Sequence, residues 1–416
     1  MTILLKSATI VDSQSEFHQQ TKDILIENGK ISKIDKSIKA ANAHVISFEN
    51  LHVSQGWFDS SVNFGEPGYE ERETIDHGLE VAAKSGFTAI AVNPNTNPIP
   101  DTNADITFLK SKANRYLTSL FPIGALTVNS DGVDLAELFD MKNAGAIAFG
   151  DYQRAIRNPN LLKIALQYAQ NFDGIVLSFP QEDHIKGKGV VNEDVTSTQI
   201  GLKGIPALAE ALQIARDIFI LEYTGGKLHI PTISTERSVK LIKEAKKKGL
   251  DVSCSVAIHH LVLNDEVLTG FDTRYKVLPP LRTPRDIKAL IKGLDDGTID
   301  MVTSDHHPID IEHKKVEFDH AMYGTIGLET AFGALNHIFS TEKTISLLTA
   351  GKSRFGLTNH SIEVGNKADI SLFDPSRKYT FRKEDILSTS KNSAFLGVEL
   401  KGKAYGAIAK NTITTQ

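Results

Sequence analysis

The 416-residue chain has a single cysteine, Cys254. An intrachain disulfide is therefore impossible, and a zinc site built from cysteine ligands is excluded. No segment approaches the roughly 18 consecutive apolar residues that a membrane span requires. The apolar segment 1–10 is short, contains a lysine and leads into a strand-like pattern, so it does not resemble a targeting signal. We expect a cytoplasmic protein with no membrane partner.

The chain also lacks a large excess of charge of either sign. It has 46 Lys and Arg against 51 Asp and Glu, a formal net charge of −5, and nothing indicates a nucleic-acid partner. Its 41% of hydrophobic and 23% of charged residues are typical of a globular protein, which argues against a disordered or collagen-like chain. The 14 histidines are ample for a metal site, so their placement decides whether one exists.

The pattern of apolar segments changes twice along the chain. Residues 1–54 and 358–416 consist of short strand-like segments separated by turn signals such as Asn28-Gly29. Residues 55–357 alternate apolar strands with helical segments, a pattern typical of a parallel sheet. We predict an α/β fold with a (β/α)8 barrel over residues 55–357. The two chain ends are expected to pair into one small β-sandwich domain.

Polar side chains follow the predicted barrel strands, where the site residues of such barrels lie. These groups are Asp59–Asn63, Asn93–Asn97, Asp151, Gln181–His184, Thr235-Glu236, His259-His260 and Asp305–His307. Asp, Asn and His at strand ends are typical of a polar barrel mouth. We therefore expect the functional site, if one is kept, at this end of the barrel.

Several longer motifs occur in a fixed order along the chain. They are GEPGYEERETIDHG at 65–78, NPNTNP at 93–98, GVVNED at 189–194, STERS at 234–238, IHHL at 258–261, PPLRTPRDIKALIKGLDDGTID at 279–300, TSDHHP at 303–308, GTIGLETAF at 324–332 and GNKADISLFDP at 365–375. In this order the motifs closely resemble the dihydroorotase family of the amidohydrolase superfamily. The resemblance implies a metal-dependent barrel that reversibly cyclises N-carbamoyl-aspartate to dihydroorotate in pyrimidine synthesis.

The resemblance also implies roles for three residues of this chain. Asp305 stands at the position of the acid–base aspartate after the last strand, and Asn95 stands where the family binds the substrate carboxylate. Asp151 fits the place of the metal ligand on the fourth strand. In the family a metal, usually zinc, lowers the pKa of its bound water from about 15.7 to about 7 and polarises the amide carbonyl.

At other positions the chain departs from the family pattern. The four ligand histidines are replaced or missing: the positions read Ser61, Asn63, the segment 178–183 and Thr232. The arginine that would hold the substrate carboxylate is Gly65, the family's substrate-contacting histidine is Ile309, and its asparagine before Pro-Pro-Leu-Arg is Leu278. His229 is three residues before Thr232, so strand alternation predicts that the two side chains point to opposite faces.

Two hypotheses follow from these departures. Ser, Asn and Thr are poor zinc ligands, and the residual candidate ligands Asp151 and Asp305 would hold Mg²⁺ only weakly. We therefore expect no metal and a catalytically inactive, dihydroorotase-like protein of pyrimidine synthesis. Such a protein would act as a structural or regulatory partner of aspartate transcarbamoylase, or as a homo-oligomer.

The alternative hypothesis is an active dihydroorotase, or a related hydrolase of cyclic amides such as a hydantoinase or allantoinase. It requires zinc and a rebuilt site that recruits His184, His306 or His307 beside Asp151 and Asp305. A loop such as 183–194 or 310–321 would be another source of a ligand. A third possibility is that the emptied pocket binds a small carboxylate through Asn95. The sequence leaves the choice between an enzyme and a non-enzyme open.

Overall fold

The computed structural model describes residues 1–416. The strands are β1 (Thr2–Ile10), β2 (Thr21–Glu27), β3 (Lys30–Asp35), β4 (His44–Ile46), β5 (His52–Gln55), β6 (Trp57–Val62), β7 (Phe87–Val92), β8 (Ser119–Gly124), β9 (Ala148–Phe149), β10 (Ile175–Leu177), β11 (Val191–Asn192), β12 (Gly204–Ile205), β13 (Lys227–Ile230), β14 (Val252–Ala257), β15 (Met301–Thr303), β16 (Ile370–Thr380), β17 (Glu399–Ala409) and β18 (Thr412–Thr415). They form two eight-stranded sheets, and β11 pairs with β12 outside both.

The helices alternate with the strands of the central region. They are α1 (Ile75–Lys84), α2 (Asn103–Ala113), α3 (Leu138–Ala144), α4 (Pro159–Ala169), α5 (Asp183–Lys186), α6 (Val195–Ile200), α7 (Ala207–Thr224), α8 (Glu236–Lys247), α9 (His259–Val262), α10 (Pro284–Asp295), α11 (Ile311–Lys314), α12 (Ala331–Ile338) and α13 (Thr341–Arg354). Six short 3₁₀ helices lie at Val128–Ser130, Gln170–Phe172, Asp265–Gly270, Thr273–Tyr275, Leu328–Thr330 and Lys383–Asp385. None of the helices has the length and apolar character needed to cross a membrane.

Eight parallel strands form the predicted barrel, in the order β6-β7-β8-β9-β10-β13-β14-β15. The last strand returns to the first through a parallel bridge between Val62 and His306, and the Asn63 N–H donates to the His306 carbonyl at 2.7 Å. Every residue of β6, β7 and β14 is buried, as expected for strands covered by helices on one side and by the barrel interior on the other. The (β/α)8 prediction is confirmed.

Local sequence signals explain where several of the outer helices begin. Thr283 caps α10 by accepting from the Asp286 N–H at 3.3 Å, the Asp286 side chain accepts in return from the Thr283 N–H, and Pro284 occupies the first turn. Thr235 caps α8, accepting from the Ser238 N–H at 3.2 Å. The Thr235 cap begins α8 shortly after β13 ends, whereas α9 and two 3₁₀ helices lie between β14 and the Thr283 cap of α10.

The two chain ends combine into one mixed sheet, in the order β3-β2-β1-β5-β16-β17-β18, with β4 paired to β1. The pairing of both ends is as predicted, and the strands are hydrogen-bonded into a single sheet. Trp57, the first residue of β6, packs between this sheet and the barrel helices, because its ring lies 4.9 Å from Phe332 on α12 and 5.6 Å from Phe373 on β16. The domain boundaries at 54/55 and 357/358 stay a prediction.

Candidate functional site

A buried carboxylate links the first and the last strand of the barrel through hydrogen bonds. Asp59 of β6 is 1% exposed and accepts hydrogen bonds from the Ser61 N–H at 3.1 Å, from the Ser304 N–H at 2.9 Å and from the Thr303 hydroxyl. Burial raises the pKa of Asp59, and these donors oppose that rise. The contacts tie the first strand to the last and hold the segment that leads to Asp305.

Asp305 lies at the centre of the mouth. It is 4% exposed, has a left-handed φ of 48°, and accepts a hydrogen bond from the Ser61 hydroxyl at 2.9 Å. Ser61 in turn accepts from the Asn93 amide at 2.9 Å. Burial raises the pKa of Asp305 to about 7; the Ser61 hydrogen bond opposes the rise and the nearby Asp59 carboxylate adds to it. The carboxyl group is thus able to carry a proton near neutral pH, while its acid–base role stays a prediction.

Tyr152 was not identified from the sequence, yet its hydroxyl lies in this buried centre. Asn63, fully buried, donates to that hydroxyl at 2.9 Å and to the His306 carbonyl at 3.1 Å, and its own Oδ1 has no partner. The tyrosine oxygen also lies 3.3 Å from His307 Nδ1. Burial, with the neighbouring Asp305 charge, holds the pKa of Tyr152 well above its usual value. The only signal in the sequence is that Tyr152 follows Asp151.

Asp151, a predicted candidate ligand, is hydrogen-bonded to the loop that follows β8. One carboxylate oxygen accepts from the Leu126 and Thr127 N–H groups at 2.9 and 3.1 Å, and the other accepts from the Thr127 hydroxyl at 2.7 Å. Burial raises the pKa of Asp151, and these hydrogen bonds oppose the rise. The side chain therefore organises the loop after β8, and it does not join Asp305 in a cluster of acids and imidazoles able to hold a metal.

Thr232 and His229 line the same small cavity, so the prediction that they point to opposite faces is wrong. The alternation of a strand ends with β13 at Ile230, and Thr232 then adopts a left-handed φ of 51°. His229 is 1% exposed, and its Nδ1 lies 2.8 Å from the Ser253 hydroxyl. Burial lowers the pKa of His229 to about 3, so the imidazole is neutral.

Of the three candidate histidines, only His307 contacts Tyr152 at the buried centre of the mouth. The His184 side chain on α5 is 87% exposed and lies 3.0 Å from Glu182. His306 Nδ1 accepts from the Gly327 N–H at 3.2 Å, although its Nε2 has no partner. His307 lies between Tyr152 and the Asn95 amide, which is 3.5 Å from Nε2. None of them completes a metal-holding cluster, and neither do the loops 183–194 and 310–321.

The backbone around Gly65 leaves no space for the arginine that the family has there. A Cβ atom at this position would lie 1.7 Å from the Tyr69 carbonyl oxygen. The arginine nearest in sequence, Arg72, stacks 4.3 Å over the Tyr69 ring and donates to Asp310 at 3.1 Å. Asn95 keeps its place at the mouth, with a buried Oδ1 that has no partner. Of the predicted carboxylate-binding pair, the asparagine alone is present.

We expect Gly65→Ala to lower the free energy of unfolding by roughly 3 kcal/mol, because the new methyl group forces the loop 65–72 to move. Gly270→Ala is the matched control, since its Cβ would meet nothing within 4 Å and its exposed position tolerates change. Urea unfolding of both variants measures the difference. Equal stability of the two variants would show that the loop accommodates a side chain at position 65.

The donor atoms at the mouth do not fit a catalytic zinc ion. The predicted ligand positions offer hydroxyl and amide oxygens from Ser61, Asn63 and Thr232, whereas zinc takes imidazole, thiolate or carboxylate. Of the two carboxylates, Asp151 has both oxygens engaged by protein donors. No group of three His, Cys, Asp or Glu side chains is arranged to hold a metal ion.

The cavity at this mouth is small. Its volume is about 20 Å³, and its walls include Ser61, Asp151, Tyr152, His229 and Thr232. That is room for about one water molecule, whereas small-molecule sites commonly have about 300–1,000 Å³. In this structure the cavity among the hydrogen-bonded side chains of the mouth is therefore smaller than a small-molecule site.

Known proteins similar to this chain agree on its family. A family model described as dihydro-orotase-like matches residues 52–238. The dihydroorotase of Pelotomaculum thermopropionicum is 39% identical over 423 residues, covering 100% of this chain and 99% of that one, and the dihydroorotase of a Thermoanaerobacter species is 38% identical over 420 residues, covering 99% and 97%. Among solved structures, the L-hydantoinase (dihydropyrimidinase) from Arthrobacter aurescens has the same fold, with a TM-score of 0.85 and 21% identity over 100% of this chain and 96% of that chain. Because the dihydroorotases match it over its full length, the chain belongs to the dihydroorotase family of the amidohydrolase superfamily.

Proposed function

We propose that this chain is a catalytically inactive member of the dihydroorotase family. The proposal rests on the hydrogen-bonded group Asn93–Ser61–Asp305. In this group the Ser61 hydroxyl stands at the first-strand ligand position, where the family has an imidazole. Asn63 and Thr232 fill two further ligand positions, and Gly65 removes the carboxylate-binding arginine. Asp305 retains the ability to carry a proton, but the hydroxyl and amide donors at the ligand positions do not fit the zinc ion that would activate a water beside it.

A specific observation favours a second candidate, an active dihydroorotase or related hydrolase of cyclic amides. The relatives named dihydroorotase are 37–39% identical to this chain and cover nearly all of it. Proteins this similar commonly share an activity. In this candidate the chain binds zinc through a ligand set that forms only with the metal, drawing on Asp305 and the buried His229 or His307.

Metal analysis together with an activity assay separates the two candidates. We expect the purified protein to contain far less than one zinc per chain, and to turn over neither dihydroorotate, carbamoyl-aspartate, hydantoin nor allantoin with or without added Zn²⁺. A zinc-containing dihydroorotase, assayed in parallel, is the positive control. Near-stoichiometric zinc with turnover that is lost in Asp305→Asn would overturn the inactive assignment.

The same Asp305→Asn variant has a second readout in the absence of activity. The folded-state pKa of Asp305 is about 7, above the unfolded value of 3.8, so the carboxyl group stabilises the fold when protonated and this contribution is lost as the pH rises through about 7. At about pH 8 the asparagine variant is therefore expected to be the more stable protein, by up to about 4 kcal/mol. A variant less stable than wild type at that pH would contradict burial as the cause of the raised pKa of Asp305.

For the role of the inactive barrel, we propose a structural or regulatory partnership with aspartate transcarbamoylase. Support comes from a scaffold kept over the full length and from a row of exposed apolar side chains on one face of α7, formed by Leu208, Leu212, Phe219 and Tyr223. Size-exclusion chromatography with light scattering, on the chain alone and on its mixture with the aspartate transcarbamoylase of the same source, tests the proposal. Co-elution supports it; a homo-oligomer or monomer that stays separate from the enzyme contradicts it.

A further inference from the structure

A cavity of about 610 Å³ lies at the opposite end of the barrel from the mouth. Thr88 and Ser119, at the beginnings of β7 and β8, form its barrel side. The terminal sheet forms the other side through the turn at Asn28-Gly29, the turn at Lys410-Asn411 and the segment 356–369. Its volume is in the range of small-molecule sites, and neither the proposed function nor the barrel mouth makes use of it.

Lysines dominate the charge of this cavity. Four of them, Lys30, Lys352, Lys367 and Lys410, line it together with a single acid, Asp369. Asp369 is committed to the buried Lys352, whose ammonium lies 3.0 Å from its carboxylate. The other three lysines line the cavity, and none of them forms an ion pair with an acid.

Two of the three lysines are paired with each other, and the third lies in another turn of the terminal sheet. Lys30 and Lys367 are opposite each other in an isolated antiparallel bridge, where like charges destabilise the pairing. Lys410, in the turn between β17 and β18, donates to the Tyr116 carbonyl at 2.9 Å, which leaves two of its three N–H donors free. An anion with several negative charges would relieve this repulsion.

The remaining walls are suited to an uncharged group. Apolar contacts are offered by Ala89, Phe121 and Leu357, and hydrogen-bonding side chains by Ser119 and Thr358. An inorganic ion would leave the apolar wall uncovered. A phosphorylated molecule with a flat organic part would cover it, because the phosphates would meet the lysines while the organic part lies against Phe121.

We propose that this cavity binds a nucleoside polyphosphate, with the phosphates on Lys30, Lys367 and Lys410 and the base against the apolar wall. The proposal does not depend on whether the barrel mouth is catalytic. Isothermal titration calorimetry of the full-length protein with ATP, with UTP and with inorganic tripolyphosphate, at low and high sodium chloride, tests it. Both nucleotides are expected to bind saturably and more tightly than tripolyphosphate, and to weaken as the salt rises.

The double variant Lys30→Gln/Lys367→Gln is expected to weaken nucleotide binding by about tenfold or more. Its control is Lys378→Gln/Lys401→Gln, which removes the same charge from another pair of opposed lysines, on β16 and β17, that lines no part of the cavity. Without nucleotide the first double variant should be at least as stable as wild type, since a like-charge contact is removed. This readout separates lost binding from lost folding.

Three results would overturn the proposal: no saturable binding of either nucleotide, equal weakening in the two double variants, or tripolyphosphate binding as tight as that of the nucleotides. The last would reduce the cavity to a general anion site without a role for its apolar wall.

Discussion

Acidification from about pH 7 to about pH 5 is expected to lower the free energy of unfolding by roughly 4 kcal/mol. The cause is a set of buried imidazoles that stay neutral in the folded protein. Burial lowers the pKa of His229 and His307 to about 3 and that of His260 to about 4. Nearby positive charge, from Arg354, Arg72 and Arg282 respectively, acts in the same direction.

The sign of the effect follows from proton binding. Between about pH 4 and pH 6.5 the unfolded chain protonates these histidines and the folded protein does not, so stability falls as the pH falls below about 6.5. Each histidine costs about 2 kcal/mol at pH 5. Asp305 acts in the opposite direction. Its folded pKa of about 7 means that acidification protonates it in the folded protein, which raises the free energy of unfolding by about 2 kcal/mol between pH 7 and pH 5. For these four groups the net loss is a large part of the roughly 5–15 kcal/mol that folded proteins have. Burial also lowers the pKa of His259 and His306, which adds to the loss, and raises the pKa of Asp59, Asp151 and Asp217, which opposes it.

Urea titrations at several pH values measure this loss, and His307→Gln identifies its origin. The variant should lose about 2 kcal/mol less than wild type between pH 7 and pH 5, because one buried imidazole is gone. His44→Gln, at an exposed position on β4, should leave the pH dependence unchanged. A pH dependence of His307→Gln identical to wild type would show instead that the pKa of His307 is the same in the folded and the unfolded chain.

Much of the fold was predictable because its signals are local. The alternation of apolar strands with helical segments over residues 55–357 predicted the barrel, and β7 and α8 are examples of it, the helix beginning after the Thr235 cap. The insertion of β5 between β1 and β16 was not predictable in detail, because it pairs segments more than 300 residues apart. Such pairing depends on long-range packing that a local pattern does not contain.

The residues of the candidate site were likewise predictable only in part. Asp305 and Asn95 follow strands in recognisable motifs, so their presence at the mouth was expected. The sequence does not predict Tyr152 as a site residue, because its partner Asn63 is 89 positions away and neither residue type marks a site by itself. The orientation of Thr232 was predicted wrongly, because a non-glycine residue with a φ of 51° departs from the alternation of a strand. Side-chain contacts across the barrel therefore had to be read from the structure.

A second buried network, beside the mouth, carries the other large expected effect. Glu210 of α7 is 2% exposed and accepts from the Ser234 and Thr235 N–H groups at 2.9 and 3.0 Å and from the Ser238 hydroxyl at 2.6 Å. Arg282 lies 3.8 Å from the same carboxylate. The glutamate thus fixes the segment after β13 and the beginning of α8 to helix α7.

Arg282 has further partners that hold it in place. It donates to Asn192 Oδ1 at 2.8 Å, to the Ile205 carbonyl at 2.7 Å and to the Ser234 hydroxyl at 3.0 Å, and it is 3% exposed. Burial lowers the pKa of Arg282, and the Glu210 charge opposes that shift. Without Glu210 the guanidinium would remain buried and charged, with only Asp286 and Asp265, which form no ion pair with it, as nearby negative charge.

We expect Glu210→Ala to lower the free energy of unfolding by about 3–5 kcal/mol, the usual cost of removing one partner of a buried ion pair. The removal also leaves the donors of Ser234, Thr235 and Ser238 without an acceptor, so the loss should be near the upper end of that range. Glu244→Ala on α8 is the matched control: it breaks an exposed pair with Lys247 and should cost no more than about 1 kcal/mol. Urea unfolding at neutral pH measures both variants.

The double variant Glu210→Ala/Arg282→Met distinguishes a buried charge from lost packing. If the unpaired guanidinium causes most of the loss, replacing it with an apolar side chain should recover part of the stability, and the double variant should be more stable than the sum of the single variants predicts. Additive losses would instead show that Glu210 and Arg282 act through separate contacts. In that case the stability of the segment after β13 rests on the hydrogen bonds to Ser234 and Thr235, and the ion pair contributes little.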